Sequence, residues 1–175
     1  MTAEGNALAD LRADKASLKQ KDARDALRLV PYGLYVLTTA HDGRVNAITC
    51  NWVTQVSFKP LLIAVAIEKQ SQTHQLLRGS GVFAINFLDK EQKHLARQMA
   101  IPYRLKPHKL AGIPYHADET GAPLLDEAIG YLECEVSQVL EVVGDHTLFI
   151  GQVVAGGAVR HVEPLTLLHS GLRYK

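Results

Sequence analysis

The residues with the most chemistry to offer sit in two short stretches. Asn46-Ala47-Ile48-Thr49-Cys50-Asn51-Trp52-Val53-Thr54-Gln55-Val56-Ser57 puts amide and hydroxyl groups on both faces of what reads as one strand from Val45 to Ser57. A core strand would keep at least one face apolar. The stretch is therefore either an edge strand with a wet face or a strand lining a polar, planar ligand. Lys69-Gln70-Ser71-Gln72-Thr73 stands just before a helical pattern. A cation, two hydroxyls and unpaired helix N–H groups suit a phosphate, although a simple Ser N-cap explains the same letters. Together the two stretches describe a site for a flat, phosphorylated ligand.

Other chemistries find less support. Gly79-Ser80-Gly81-Val82-Phe83-Ala84 fits the G-x-G-x-x-A dinucleotide fingerprint, but a helix precedes it and a strand follows, the reverse of the required order. It reads as a helix C-cap. The eight histidines are scattered, with no H-x-H or H-x-x-x-H pair and no Cys-x-x-Cys companion, so no metal site is expected. No G-x-S-x-G elbow is present for a serine nucleophile. Cys50 reads as a small buried hydrophobe, since nothing beside it lowers a thiol pKa.

The elements that must position these residues are mostly strands. Residues 7–24 read as a helix with a mixed-charge polar face, and Ala26 to Val30 as a further turn stopped by Pro31. Strands follow at Gly33 to Thr39, at the polar stretch, at Leu61 to Ile67, and at Val82 to Leu88. The intervening Asp42-Gly43 is a hairpin signal. Helices are expected from Ser71 and over residues 90–99. Residues 100–127 are rich in Pro and Gly, and long ordered excursions of this kind tend to be functional. Three more strands are expected at Tyr131 to Val143, Thr147 to Val154 and Thr166 to Tyr174. Six or seven strands at hairpin spacing imply a mainly β protein, a small antiparallel barrel or sandwich.

Composition sets the outer bounds. The 175 residues make one ordinary domain, 47% hydrophobic and 21% charged, typical of a globular chain. A net charge of +1 removes the electrostatic footprint of a nucleic-acid binder. No apolar run approaches the ~20 residues of a membrane span. Two cysteines and no signal peptide point to a reducing, cytoplasmic setting.

From Ala26 to Lys175 the sequence resembles the flavin reductase family, built on the FMN-binding split barrel, with residues 1–25 left as an N-terminal helical extension. The resemblance rests on Leu27 to Thr39, on Asn46 to Ser57 against a strand motif near N-A-M-T-x-S-W-x-T-x-V-S, and on Lys69 to Thr73. Phe83 to Leu88, Thr120 to Leu125 and Gly144 to Gly151 complete it in family order. Departures stand at Ile48, Asn51, Leu61 and Gln152.

The resemblance implies a homodimer of Greek-key split β-barrels binding FMN, with FAD as the variant, and reduction of flavin by NADH or NADPH. It implies that Asn46, Ala47, Ile48, Thr49, Cys50, Asn51 and Trp52 lie along the flavin, and that Lys69, Gln70, Ser71 and Thr73 hold the phosphate. Asn86 and Phe87 would border the ring. His146 would stand near flavin and nicotinamide in a protonic or orienting role, or it caps its turn. Electrons would pass to an acceptor or to a partner flavin-dependent monooxygenase. The alternative is a flavin-binding electron carrier without nicotinamide turnover.

Overall fold

The computed structural model describes residues 19–172. These fall into two compact units, one ending at Pro31 and one spanning Tyr32–Leu172. In the first, residues 19–27 form helix α1, which closes in a turn before Pro31. Most of the helix expected over residues 7–24 lies outside the described residues.

The second unit holds nine strands and three helices. They run β1 (Tyr35–His41), β2 (Arg44–Cys50), β3 (Val53–Phe58), β4 (Leu61–Glu68), α2 (Gln72–Ser80), β5 (Val82–Phe87) and α3 (Lys93–Met99). Then follow β6 (Tyr115–His116), β7 (Leu124–Leu125), β8 (Gly130–Glu141), β9 (His146–Ala158) and α4 (Leu167–Ser170). Seven strands form one sheet in the order β2-β1-β5-β8-β9-β4-β3, antiparallel at every step, while β6 and β7 make a small ribbon inside the 100–127 excursion. Asp42 and Gly43 both take positive φ, 50° and 71°, the tight turn that matches the right-handed twist of a hairpin.

The expected strand Val45 to Ser57 is in fact two strands, and the break explains the fold. β2 pairs with β1 at one end of the sheet, and β3 pairs with β4 at the other. Only Asn51 and Trp52 lie between them, and the three Cα steps from Cys50 to Val53 span at most about 11 Å. The two ends of the sheet must therefore meet at this corner. The sheet rolls into a split barrel whose seam runs between β2 and β3. A second correction concerns the chain end. Of the strand expected from Thr166 to Tyr174, the described part, Thr166 to Leu172, is not a strand: Thr166 caps the short α4 by accepting from the His169 N–H at 3.4 Å, and Gly171 ends it at φ 69°. Residues 173–175 lie outside the described residues.

Strand β1 serves two cores. On β1, Leu37 points inward to Ile63, Val65, Ile67, Leu77, Phe83, Ile85 and Phe149. Its neighbour Val36 points outward, to Leu88, Leu95, Met99, Leu110, Leu125 and Leu165 beneath α3 and the excursion. Gly151 is required inside: a Cβ there would stand 2.6 Å from the Phe83 ring. Gly81 closes α2 at φ 68° with its N–H on Leu77 O, so the Gly-Ser-Gly run is the helix cap and not a nucleotide loop.

Candidate functional site

β2 is an edge strand, so every other backbone N–H and C=O points away from β1. Its side chains have divided roles. Asn46, buried, donates through Nδ2 to Thr73 Oγ1 at 2.8 Å, which ties the strand to the first turn of α2. Thr49 donates to Ala96 O at 2.6 Å, which ties the same strand to α3. Ala47 is wholly buried and Ile48 half-buried. Burial pushes the Cys50 thiol up to about 12, so it is no nucleophile at neutral pH.

Two amide atoms at this strand have no protein partner among the described residues. They are Asn46 Oδ1, an acceptor, and Asn51 Nδ2, a donor. Buried polar atoms rarely go unpaired, and each left so costs about 1–3 kcal/mol. A donor and an acceptor held open along one edge strand and its corner are what a polar, planar ligand would satisfy.

The start of α2 lies against this strand through the Asn46–Thr73 bond. Ser71 is the N-cap, in extended backbone, and its Oγ accepts from the His74 N–H at 3.1 Å. The N–H groups of Gln72 and Thr73 precede any intrahelical acceptor and carry the positive end of the helix dipole. Thr73 itself is fully buried, so its hydroxyl serves Asn46 and reaches no surface. Gln70 is exposed in the turn before the cap. Lys69 points elsewhere: Nζ donates to Val142 O at 3.0 Å and to Gly144 O at 2.9 Å.

On the far side of the corner, Trp52 packs against His146, ring centres 4.7 Å apart. His146 Nδ1 is hydrogen-bonded to Asp145 Oδ1 at 2.6 Å. That bond, with the imidazole charge, holds the exposed Asp145 carboxyl below the usual carboxylate range. Asp145 was not among the residues expected from sequence, although its adjacency to His146 was visible there.

The structure does not bring Asn86 into this constellation. Asn86 is fully buried, and its amide is spent on the framework. Nδ2 donates to Val36 O at 3.2 Å and to Thr38 Oγ1 at 3.1 Å, and Oδ1 accepts from Leu125 N–H at 2.8 Å. Phe87 is half-buried, edge-on to Tyr35 with centres 5.6 Å apart. Sequence reasoning also passed over Glu141, Thr147 and His74. These form a chain from β8 through β9 to α2: Thr147 Oγ1 donates to Glu141 Oε2 at 3.1 Å and shares a hydrogen with His74 Nε2 at 2.9 Å. No group of three or more His, Cys, Asp or Glu side chains among the described residues is arranged for a metal ion. No described helix is long and apolar enough to cross a membrane.

Comparison with known proteins places the chain. It is 35% identical over 143 residues to the high molecular weight rubredoxin of Moorella thermoacetica, covering 81% of this chain and 62%, under two thirds, of that protein. It is 31% identical over 144 residues to the ferric-chelate reductase (NAD(P)H) of Archaeoglobus fulgidus, covering 81% of this chain and 85% of the other. The structure of nitrilotriacetate monooxygenase component B from Mycobacterium thermoresistibile superposes with a TM-score of 0.78 at 27% identity, over 86% of this chain and 83% of that one. The model of the flavin reductase like domain matches residues 27–175, so the chain belongs to the flavin reductase family.

Proposed function

We propose that this chain binds flavin mononucleotide, or the mononucleotide half of FAD, and reduces it with NADH or NADPH. The observation that carries the reading is the open pair of buried amide atoms, Asn46 Oδ1 and Asn51 Nδ2, beside the unpaired N–H groups of α2. The donor set fits the group: an acceptor and a donor for the polar edge of a planar ring, and a helix start for one phosphate.

The flavin, when bound, supplies the hydride acceptor, and the protein supplies binding and orientation. Asn46 and Asn51 bind and orient the ring, and the outward backbone N–H groups of β2 near Thr49 and Cys50 stabilise negative charge on it. The Gln72 N–H group with the Ser71 hydroxyl holds the phosphate. Trp52 and His146 wall the open end and exclude water, and Asp145 holds the imidazole in one orientation.

Anaerobic stopped-flow mixing with NADH and with NADPH tests the reaction. The visible band of the oxidised flavin should bleach with at least one donor. No bleaching with either would sink the reductase reading and leave flavin binding standing. The relative named as a rubredoxin supports that second reading, a flavin-binding electron carrier fed by another protein. The relative named as a monooxygenase component supports delivery of reduced flavin to an oxygenase.

A further inference from the structure

A polar clasp joins the start of α2 to the β8–β9 hairpin. Lys69, His74 and Arg78 stand on one side. Glu141, Thr147 and the carbonyls of the hairpin turn stand on the other. Besides the two bonds from Lys69 Nζ to Val142 O and Gly144 O, the Lys69 backbone N–H donates to Asp145 O at 2.8 Å, and Nζ lies 3.6 Å from Glu141 Oε2. An ammonium has three N–H donors, and here two go to carbonyls while the Glu141 carboxylate stands at ion-pair distance. Glu141 also pairs with Arg78 and accepts from Thr147, which reaches His74.

The turn these groups hold is otherwise anchored by the strand ladders at its ends, where Glu141 pairs with Thr147 and His146 with Glu68. Val142 and Val143 are 43% and 107% exposed, so the turn has no apolar footing in the core. Gly144 sits at φ 143°, a conformation few side chains would stabilise. The next residues are Asp145 and His146, which the turn delivers against Trp52.

We propose that Lys69 is the positioning residue for His146. By holding residues 142–145 through its ammonium and its backbone N–H, it keeps the imidazole seated on Trp52 and shapes the end of the site where a nicotinamide would enter. It is not the phosphate ligand that its place in the sequence implies, because two of its three hydrogens go to the hairpin and its charge faces Glu141. The statement about nicotinamide rests on the function proposed above, whereas the clasp stands on the geometry alone.

Trp52 is the chain's single tryptophan, so its emission reports on His146 directly. An imidazole in contact quenches indole, most strongly when protonated. Emission of the flavin-free full chain is recorded at one fixed pH for every variant. Wild type should be dimmer than His146→Asn. Lys69→Met should recover most of the emission that His146→Asn gains, and Lys69→Arg, which restores the donors, should return to the wild-type level. Wild-type emission from Lys69→Met would overturn the proposal. A second arm compares FMN with riboflavin, which lacks the anion. Lys69→Met should change both dissociation constants by the same factor and raise the KM for the nicotinamide donor. A loss confined to FMN would return Lys69 to the phosphate and overturn the clasp. If neither flavin binds wild type, the functional reading fails while the emission arm still decides the clasp.

Discussion

Two buried basic side chains outside the ligand-facing groups set the protein's response to pH. Lys109, only 3% exposed, donates through Nζ to Met99 O at 2.9 Å at the end of α3, and burial pushes its pKa down to about 8. The unfolded chain holds that proton up to about 10.5, so between those values it binds more protons than the folded one. Stability therefore rises with pH across that window, and the cost of burying the ammonium is fully present below it. His74 behaves alike at lower pH. Burial first, then Arg78 and Lys69, lower its pKa, so stability falls as pH drops below the ordinary histidine value of about 6.5. Lys109→Met should raise stability at pH 7 by on the order of 2 kcal/mol and abolish the gain above pH 8, as read from urea melts at a series of pH values. The thiols offer a simpler check. Cys50 and Cys134 are both buried, with pKa values pushed up to about 12. Neither should react with a thiol reagent at neutral pH until the protein unfolds, and labelling of the native protein would contradict their placement.

At the scale of elements, the 100–127 excursion is held by side chains of the framework that reach for its backbone. Thr38 donates to Pro123 O at 2.6 Å, Asn86 accepts from Leu125 N–H at 2.8 Å, and buried Glu133 accepts from the N–H and hydroxyl of Thr120 at 2.9 and 2.7 Å. Gln98 donates to Lys109 O at 2.7 Å, and Gln92 to Glu127 O at 2.8 Å. Asn86→Ala strips four buried partners at once, Val36 O, Thr38 Oγ1, Pro123 O and Leu125 N–H. It should cost about 2–4 kcal/mol, seen as a lower urea midpoint with an unchanged slope. Flavin affinity of the folded variant should hold. A selective loss of affinity without loss of stability would instead put Asn86 at the ring.

For the whole molecule, apolar surface stands exposed at the β3–β4 hairpin. Phe58 and Leu61 face each other across the strands and are 86% and 41% exposed, with Val56 at 50% nearby. β3 is also an open sheet edge. We propose that a second copy of the chain covers this face, as in the homodimer that the family resemblance implies. Sedimentation at micromolar protein should give twice the chain mass, and Phe58→Lys should shift it toward the monomer. A wild-type monomer would contradict the dimer.

Much of this was readable in the order of residues, where local physics decides. Asp42-Gly43 could only be a tight hairpin, Ser71 announced the helix it caps, and Gly81 announced its end, because each depends on a few adjacent torsions. The apolar run of β4 and the polar letters of β2 were equally plain. Partner choice was not. The corner at Asn51 and Trp52 looks like uninterrupted strand until β2 and β3 find different neighbours, β1 and β4, and the sheet rolls to meet itself. Thr166 to Leu172 has strand-like letters, and only its cap and the left-handed Gly171 make it helical. Lys69 was the right residue type in the right place for an anion. The carbonyls that claim it lie 73 and 75 residues away, and only the folded hairpin brings them within reach. Sequence thus determined which groups the site could offer. Tertiary structure decided which of them remain free for a ligand, because a hydrogen bond already made within the fold is not available to another partner.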